Sequence, residues 1–147
     1  MATETTVADS TPAAALASSL LPPQVVTTPA AVALIERLRT KHGPLMFHQS
    51  GGCCDGSSPM CYPRGEFMVG DGDVLLATIG SAEMPDTPFY MSRSQFEYWK
   101  HTQLILDVVQ GRGGMFSLDG PEGLRFLIRS RVFTDAEIVE LRAAGRI

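Results

Sequence analysis

The chain has 147 residues, 44% of them hydrophobic, and a formal net charge of −4. That length suits about one domain able to bury its own core. The acidic balance disfavours a nucleic-acid partner, and no apolar run reaches the roughly 18 residues that a membrane span needs.

Of the first 30 residues, 20 are Ala, Ser, Thr or Pro, with Glu4 and Asp9 the only charges. "AAALASSLLPP" imitates the apolar part of a signal peptide, but no Lys or Arg precedes it. Residues 1–27 are therefore expected to be a flexible tail, with a docking helix over Ala13–Leu21 as the alternative. A single domain then spans residues 28–147, and the expected location is cytoplasmic.

In chain order, Thr28 and Pro29 open a helix to Lys41, with Ala31, Leu34, Ile35 and Leu38 on its apolar face. Gly43 and Pro44 end it. "LMFHQS" reads as a strand whose alternation puts Met46 and His48 on one face, Leu45 and Phe47 on the other. "EFMVG" and "DVLLATI" read as two strands joined by the turn "GDGD", and "GSAEMPDTP" as a loop. "YMSRSQFEYWKHT" suits a short helix capped by Ser92 or Ser94. "QLILDVV", "MFSL" and "LRFLIRSRVF" read as strands separated by the turns "GRGG" and "DGPEG". Thr134 and Glu137 form a capping box for a last helix carrying Ile138 and Leu141 and ending at Gly145. The expected fold class is α+β: a mainly antiparallel β-sheet flanked by an N-terminal and a C-terminal helix.

Every cysteine falls within "HQSGGCCDGSSPMCY", residues 48–62. Cys53, Cys54 and Cys61 supply soft ligands, His48 completes a four-ligand set, and the glycines let the backbone wrap an ion. Zinc, iron and copper all suit such donors; Met60 is a further soft donor that favours copper(I). The spacing C-C-x6-C departs from the common C-x2-C zinc pattern. The same residues suit a labile disulfide, a thiol nucleophile with His48 or His101 as base, or a glycine-rich turn with buried cysteines. In a reducing compartment, metal ligands or reactive thiols lead over a structural disulfide.

On "LRFLIRSRVF", Arg125, Arg129 and Arg131 share one face and could hold an anion or acidic partner; a solvated face paired with nearby acids, Asp107 among them, is the alternative. Trp99 and His101 with Glu97 suggest a partner-facing patch, although a Trp more often packs in the core. No nucleotide-binding loop, dinucleotide fingerprint, zinc-protease motif or serine-hydrolase elbow is present.

The run "HQSGGCCDGSSPMCYPRGEFMVGDGDVLL", followed by "QFEYWKHTQLILDVVQGRGGMFSLDGPEGLRFLIRSRVF", resembles the bacterial domain of unknown function 779 family, over about Ala31 to Leu141. Genes of that family typically neighbour those of NAD-dependent aldehyde dehydrogenases. The resemblance therefore implies an accessory or regulatory protein with an aldehyde dehydrogenase as partner, and assigns no catalytic residues. "GGCCDG" and "MFSLDGP" are also similar to the loop and turn of HesB/IscA-type iron–sulfur scaffolds, without the C-terminal C-x-C of that family; this implies a HesB-like fold at most. The functional expectation is an accessory protein, not an enzyme on its own, acting through a metal-binding or redox-sensing cysteine loop, with self-association left open. A stand-alone metalloprotein or thiol enzyme for a small carbonyl or oxidant, and a pure interaction module, are the alternatives.

Overall fold

The computed structural model describes residues 21–49, 57–81, 85–111 and 117–147. The chain divides into two compact units, Pro23–Val132 and a second that comprises Phe133–Ile147 with the residues before Pro23. The larger unit runs β1 (Val25–Thr27), α1 (Pro29–His42), β2 (Leu45–Gln49), β3 (Met60–Pro63), β4 (Asp73–Ile79), β5 (Thr87–Ser92), α2 (Arg93–Trp99), β6 (Thr102–Gln110), a 3-10 turn (Gly120–Glu122) and β7 (Leu124–Val132). The fold is α+β.

Helix α1 forms where its local signals lie. Thr28 Oγ1 accepts from Ala31 N at 3.2 Å, and Pro29 occupies the first turn, where a missing N–H costs nothing. Gly43 ends the helix with φ of 82°, its N–H returning to Arg39 O at 2.8 Å. Ala31, Leu34, Ile35 and Leu38 are buried, as their spacing requires.

The strands form two sheets, ordered β1-β6-β7 and β3-β2-β5-β4. The pairs β2–β3, β4–β5 and β6–β7 are antiparallel, whereas β1–β6 and β2–β5 are parallel. The sheets are thus mixed, and β1 occupies the last three positions expected for the tail. Phe47 of β2 joins them: its ring stacks on Phe89 of β5 at 5.6 Å and meets Phe126 of β7 edge-on at 4.8 Å. Leu104, Leu106, Ile128 and the apolar face of α1 complete this core.

Three local expectations differ from the structure. Glu66–Gly70 forms no strand, because β2 begins at Leu45 opposite Pro63 and offers no ladder to residues beyond. Met60–Pro63, read as loop, is a strand held by β2. The strand β5 starts inside the expected loop "GSAEMPDTP"; its Pro88 lies just before the β2 ladder begins at Phe89, where a missing N–H is tolerated. The tail up to residue 20 and the segment Arg112–Phe116, with part of "GRGG" and "MFSL", lie outside the described residues.

In the second unit, α3 (Asp135–Ala143) carries the expected capping box. Glu137 N donates to Thr134 Oγ1 at 3.2 Å, and Thr134 N donates to Glu137 Oε1 at 2.9 Å. Among the described residues, no helix is long and apolar enough to cross a membrane.

Asp107 ties three elements of the larger unit together. Its Oδ1 accepts from Val108 N (2.8 Å) and Thr28 Oγ1 (2.9 Å), and its Oδ2 from Arg129 Nε (3.1 Å). The Val108 N–H foremost, then Thr28 and Arg129, hold its carboxyl below the usual range against the opposing effect of burial. A folded pKa below the unfolded value of about 3.9 gives stability that is complete well above that value and lost as pH falls through it toward the folded pKa. The substitution Asp107→Asn is expected to cost about 1–3 kcal/mol at neutral pH. Thermal melts from pH 7 to pH 3 should show the variant's deficit shrinking as the wild-type carboxylate protonates; a deficit constant across that range contradicts the assignment.

Candidate functional site

The alternation of β2 sorts the cysteine-loop residues onto opposite faces of the sheet. Phe47 pairs with Cys61, and His48 pairs with Met60; directly opposed residues of an antiparallel pair share a face. Phe47 and Cys61 therefore face the core. His48 and Met60 face the other way, His48 five residues before Cys53 in sequence and Met60 six residues after Cys54. Those two cysteines lie outside the described residues.

Cys61 is a core residue. It is fully buried and belongs to the cluster around Phe47, with a free thiol. Its backbone is pinned on both sides: Cys61 N donates to Ser117 Oγ at 2.8 Å, and Leu118 N donates to Cys61 O at 3.0 Å. Burial pushes the thiol far above its usual range, and the nearby Asp119 carboxylate adds to the shift. Asp119 is itself fully buried; Oδ2 accepts from Phe126 N at 2.8 Å, while Oδ1 has no hydrogen-bond partner.

His48 is 4% exposed yet lies against polar and aromatic partners outside the core cluster. Its Nε2 lies 2.6 Å from Asp73 Oδ1. Asp73 Oδ2 accepts from Gly70 N at 3.0 Å, and this bond, followed by the one to His48, holds the carboxyl below its usual range. An ionised carboxylate can only accept, so Nε2 carries the hydrogen and Nδ1 is the nitrogen left for a ligand or proton. The Phe67 ring covers the imidazole at 4.4 Å and stacks on Tyr62 at 5.2 Å. Phe67 thus acts as an aromatic cover, while its neighbour Met68 is 92% exposed.

The chain re-entering from the loop is anchored on β7. Ile128 N donates to Ser57 O at 2.8 Å, and Arg125 Nη1 donates to Ser58 Oγ at 2.6 Å. The other two arginines of that face also have intramolecular partners: Arg129 bonds Asp107, and Arg131 Nε donates to Gln103 Oε1 at 3.3 Å. Trp99 sits in the core cluster and its Nε1 donates to Gln95 Oε1 at 3.3 Å, whereas His101 is exposed. Among the described residues, no three or more His, Cys, Asp or Glu side chains form a group able to hold a metal ion.

Sequence reasoning found His48 but missed Asp73, Phe67 and Asp119. Asp73 reads as the last letter of the turn "GDGD". Only the non-local β2–β5–β4 pairing brings it to a histidine 25 residues earlier.

Two mixed sheets around an aromatic core, with a carboxylate–imidazole pair formed by the ends of β2 and β4, define an α+β protein. The profile of the family described as Domain of unknown function (DUF779) matches residues 34–132, and the chain belongs to that family. The chain matches no curated protein and no solved structure.

The burial of Cys61 sets an expected thiol count. A water-soluble disulfide reagent should leave Cys61 unmodified in the folded protein and titrate it only after denaturation. Mass spectrometry of the labelled protein checks this; fast labelling of Cys61 under native conditions contradicts its assignment to the core.

Proposed function

We propose that this protein is an accessory protein to an NAD-dependent aldehyde dehydrogenase, acting through its cysteine loop as a metal-binding, redox-responsive element. Its reacting groups are His48, Cys53 and Cys54; Cys61 is left out because it faces the core. The observation that carries this reading is the His48–Asp73 pair at the entrance to the loop. Metal-binding histidines commonly donate their second ring N–H to a carboxylate, which fixes the tautomer and raises the basicity of the ligating nitrogen. Two thiolates and one imidazole suit zinc, iron or copper. The dehydrogenase partner rests on the family resemblance.

The same pair also supports a second reading, a stand-alone thiol enzyme, since an imidazole oriented by a carboxylate is what a cysteine nucleophile requires. Turnover of a small aldehyde or peroxide by the isolated protein, abolished by Cys53→Ser or Cys54→Ser, would select that reading.

Elemental analysis of protein purified without chelators tests the proposal. Wild type and Cys61→Ala should carry the same stoichiometric metal, while His48→Ala, Cys53→Ser and Cys54→Ser should lose at least about tenfold in affinity. Metal retained in His48→Ala and lost in Cys61→Ala overturns the ligand set. Co-purification with the dehydrogenase tests the partnership: clean separation of the two native proteins counts against it, and a partner effect that survives both Cys→Ser changes makes this an interaction module alone.

A further inference from the structure

His48 is 4% exposed, so anything that is to react at its ring needs part of the surroundings to move. One part of that cover is lightly held. From residue 64 to residue 72 every residue is exposed except Phe67, whose ring lies against His48 at 4.4 Å and Tyr62 at 5.2 Å. Both ends of this strap are anchored. Arg64 N donates to Pro44 O at 2.8 Å and Glu66 N to Pro63 O at 3.1 Å. At the far end Arg93 N donates to Gly72 O at 2.7 Å, and Gly70 exchanges bonds with Asp73 through its carbonyl and its N–H. Among the described residues, no hydrogen bond or ion pair holds Phe67, Met68 or Val69 between those anchors. The Phe67 ring is what keeps them down.

We infer that this strap is a gate over the His48–Asp73 pair, with Phe67 as its plug. Glycines stand at its joints: Gly65, with φ of 93°, before the plug, and Gly70 after it. Withdrawal of one ring uncovers the imidazole, while the strands and the bond from His48 to Asp73 stay in place. That opening gives up a single aromatic contact set and none of the core, so it lies far below global unfolding in free energy. Asp73 links the two parts, because the carboxylate that fixes the His48 ring also receives the Gly70 N–H. The inference rests on the reading of His48 as a reacting group and names what controls access to its Nδ1. The competing role for Phe67 is a fixed packing residue that leaves His48 only when the protein unfolds.

The test is acylation of His48 by diethyl pyrocarbonate in the full-length, metal-free protein, followed by residue-resolved mass spectrometry. The reagent attacks an unprotonated imidazole nitrogen, which in His48 is Nδ1. Exposed His101 is the internal reference, and the buried Cys61 thiol reports global unfolding. Wild-type His48 should react more slowly than His101, yet while Cys61 is still protected. Phe67→Ala should speed His48 about tenfold or more and leave His101 unchanged. A Cβ at Gly70 or Gly72 would meet nothing within 4 Å, and neither residue has a positive φ. The double variant Gly70→Ala, Gly72→Ala therefore keeps the plug, restricts the open strap and should slow His48 about fourfold or more. Circular dichroism and thermal melts check both folds; should Phe67→Ala fail to fold, the glycine variant decides alone. His48 acylated only once Cys61 is exposed, or at the wild-type rate in a folded Phe67→Ala or in the glycine variant, overturns the gate. With no metal present, that failure is separate from failure of the metal-binding reading, which elemental analysis decides.

Discussion

The strand Leu45–Gln49 is buried along its whole length, and its alternation assigns each residue to one of two different environments. Leu45, Phe47 and Gln49 share the face on which Phe47 stacks on Phe89 of its own sheet and meets Phe126 of the other. Met46 and His48 point away, toward Tyr62, Phe67 and Asp73. A slip of one residue would put the imidazole into the aromatic core and Phe47 against a carboxylate. Both errors are costly, since a buried imidazole would lack its partner and the core would lose its central ring. The register is therefore held from both sides, by β3 and by β5, and the site depends on it.

This constraint makes the three cysteines unequal. Cys61 inherits the parity of Phe47 and becomes a small core residue with a raised pKa, near a carboxylate that disfavours the thiolate further. Cys53 and Cys54 belong to the segment between two anchored ends: Gln49 at the end of β2, and Ser57 and Ser58, bonded to β7. The chemistry proposed for the protein is confined to the face that carries His48.

The helices were legible because their signals are local. Thr28–Pro29 and Gly43 bracket α1, and Thr134–Glu137 cap α3, each within a few residues of the turn they stabilise. The parity of β2 was legible too, and it already separated His48 from Phe47. The sheet pairing was not: β2 and β5 are parallel and some 40 residues apart, β1 hides in a Pro- and Thr-rich stretch, and nothing local announces either partner. Asp73 was hidden for the same reason. "EFMVG" misled because its apolar residues suit a strand, yet it follows the end of the β2–β3 ladder at Leu45 and Pro63, and Phe67 is used as a cover for His48.

The most direct measurement of the central claim is long-range 15N–1H NMR of the His48 ring, before and after addition of one equivalent of metal. The expected spectrum in the metal-free protein is that of a ring protonated at Nε2, with the Nδ1 resonance shifting when metal is added. A ring with its proton on Nδ1, or an Nδ1 resonance indifferent to bound metal, would contradict a site built on the His48 face.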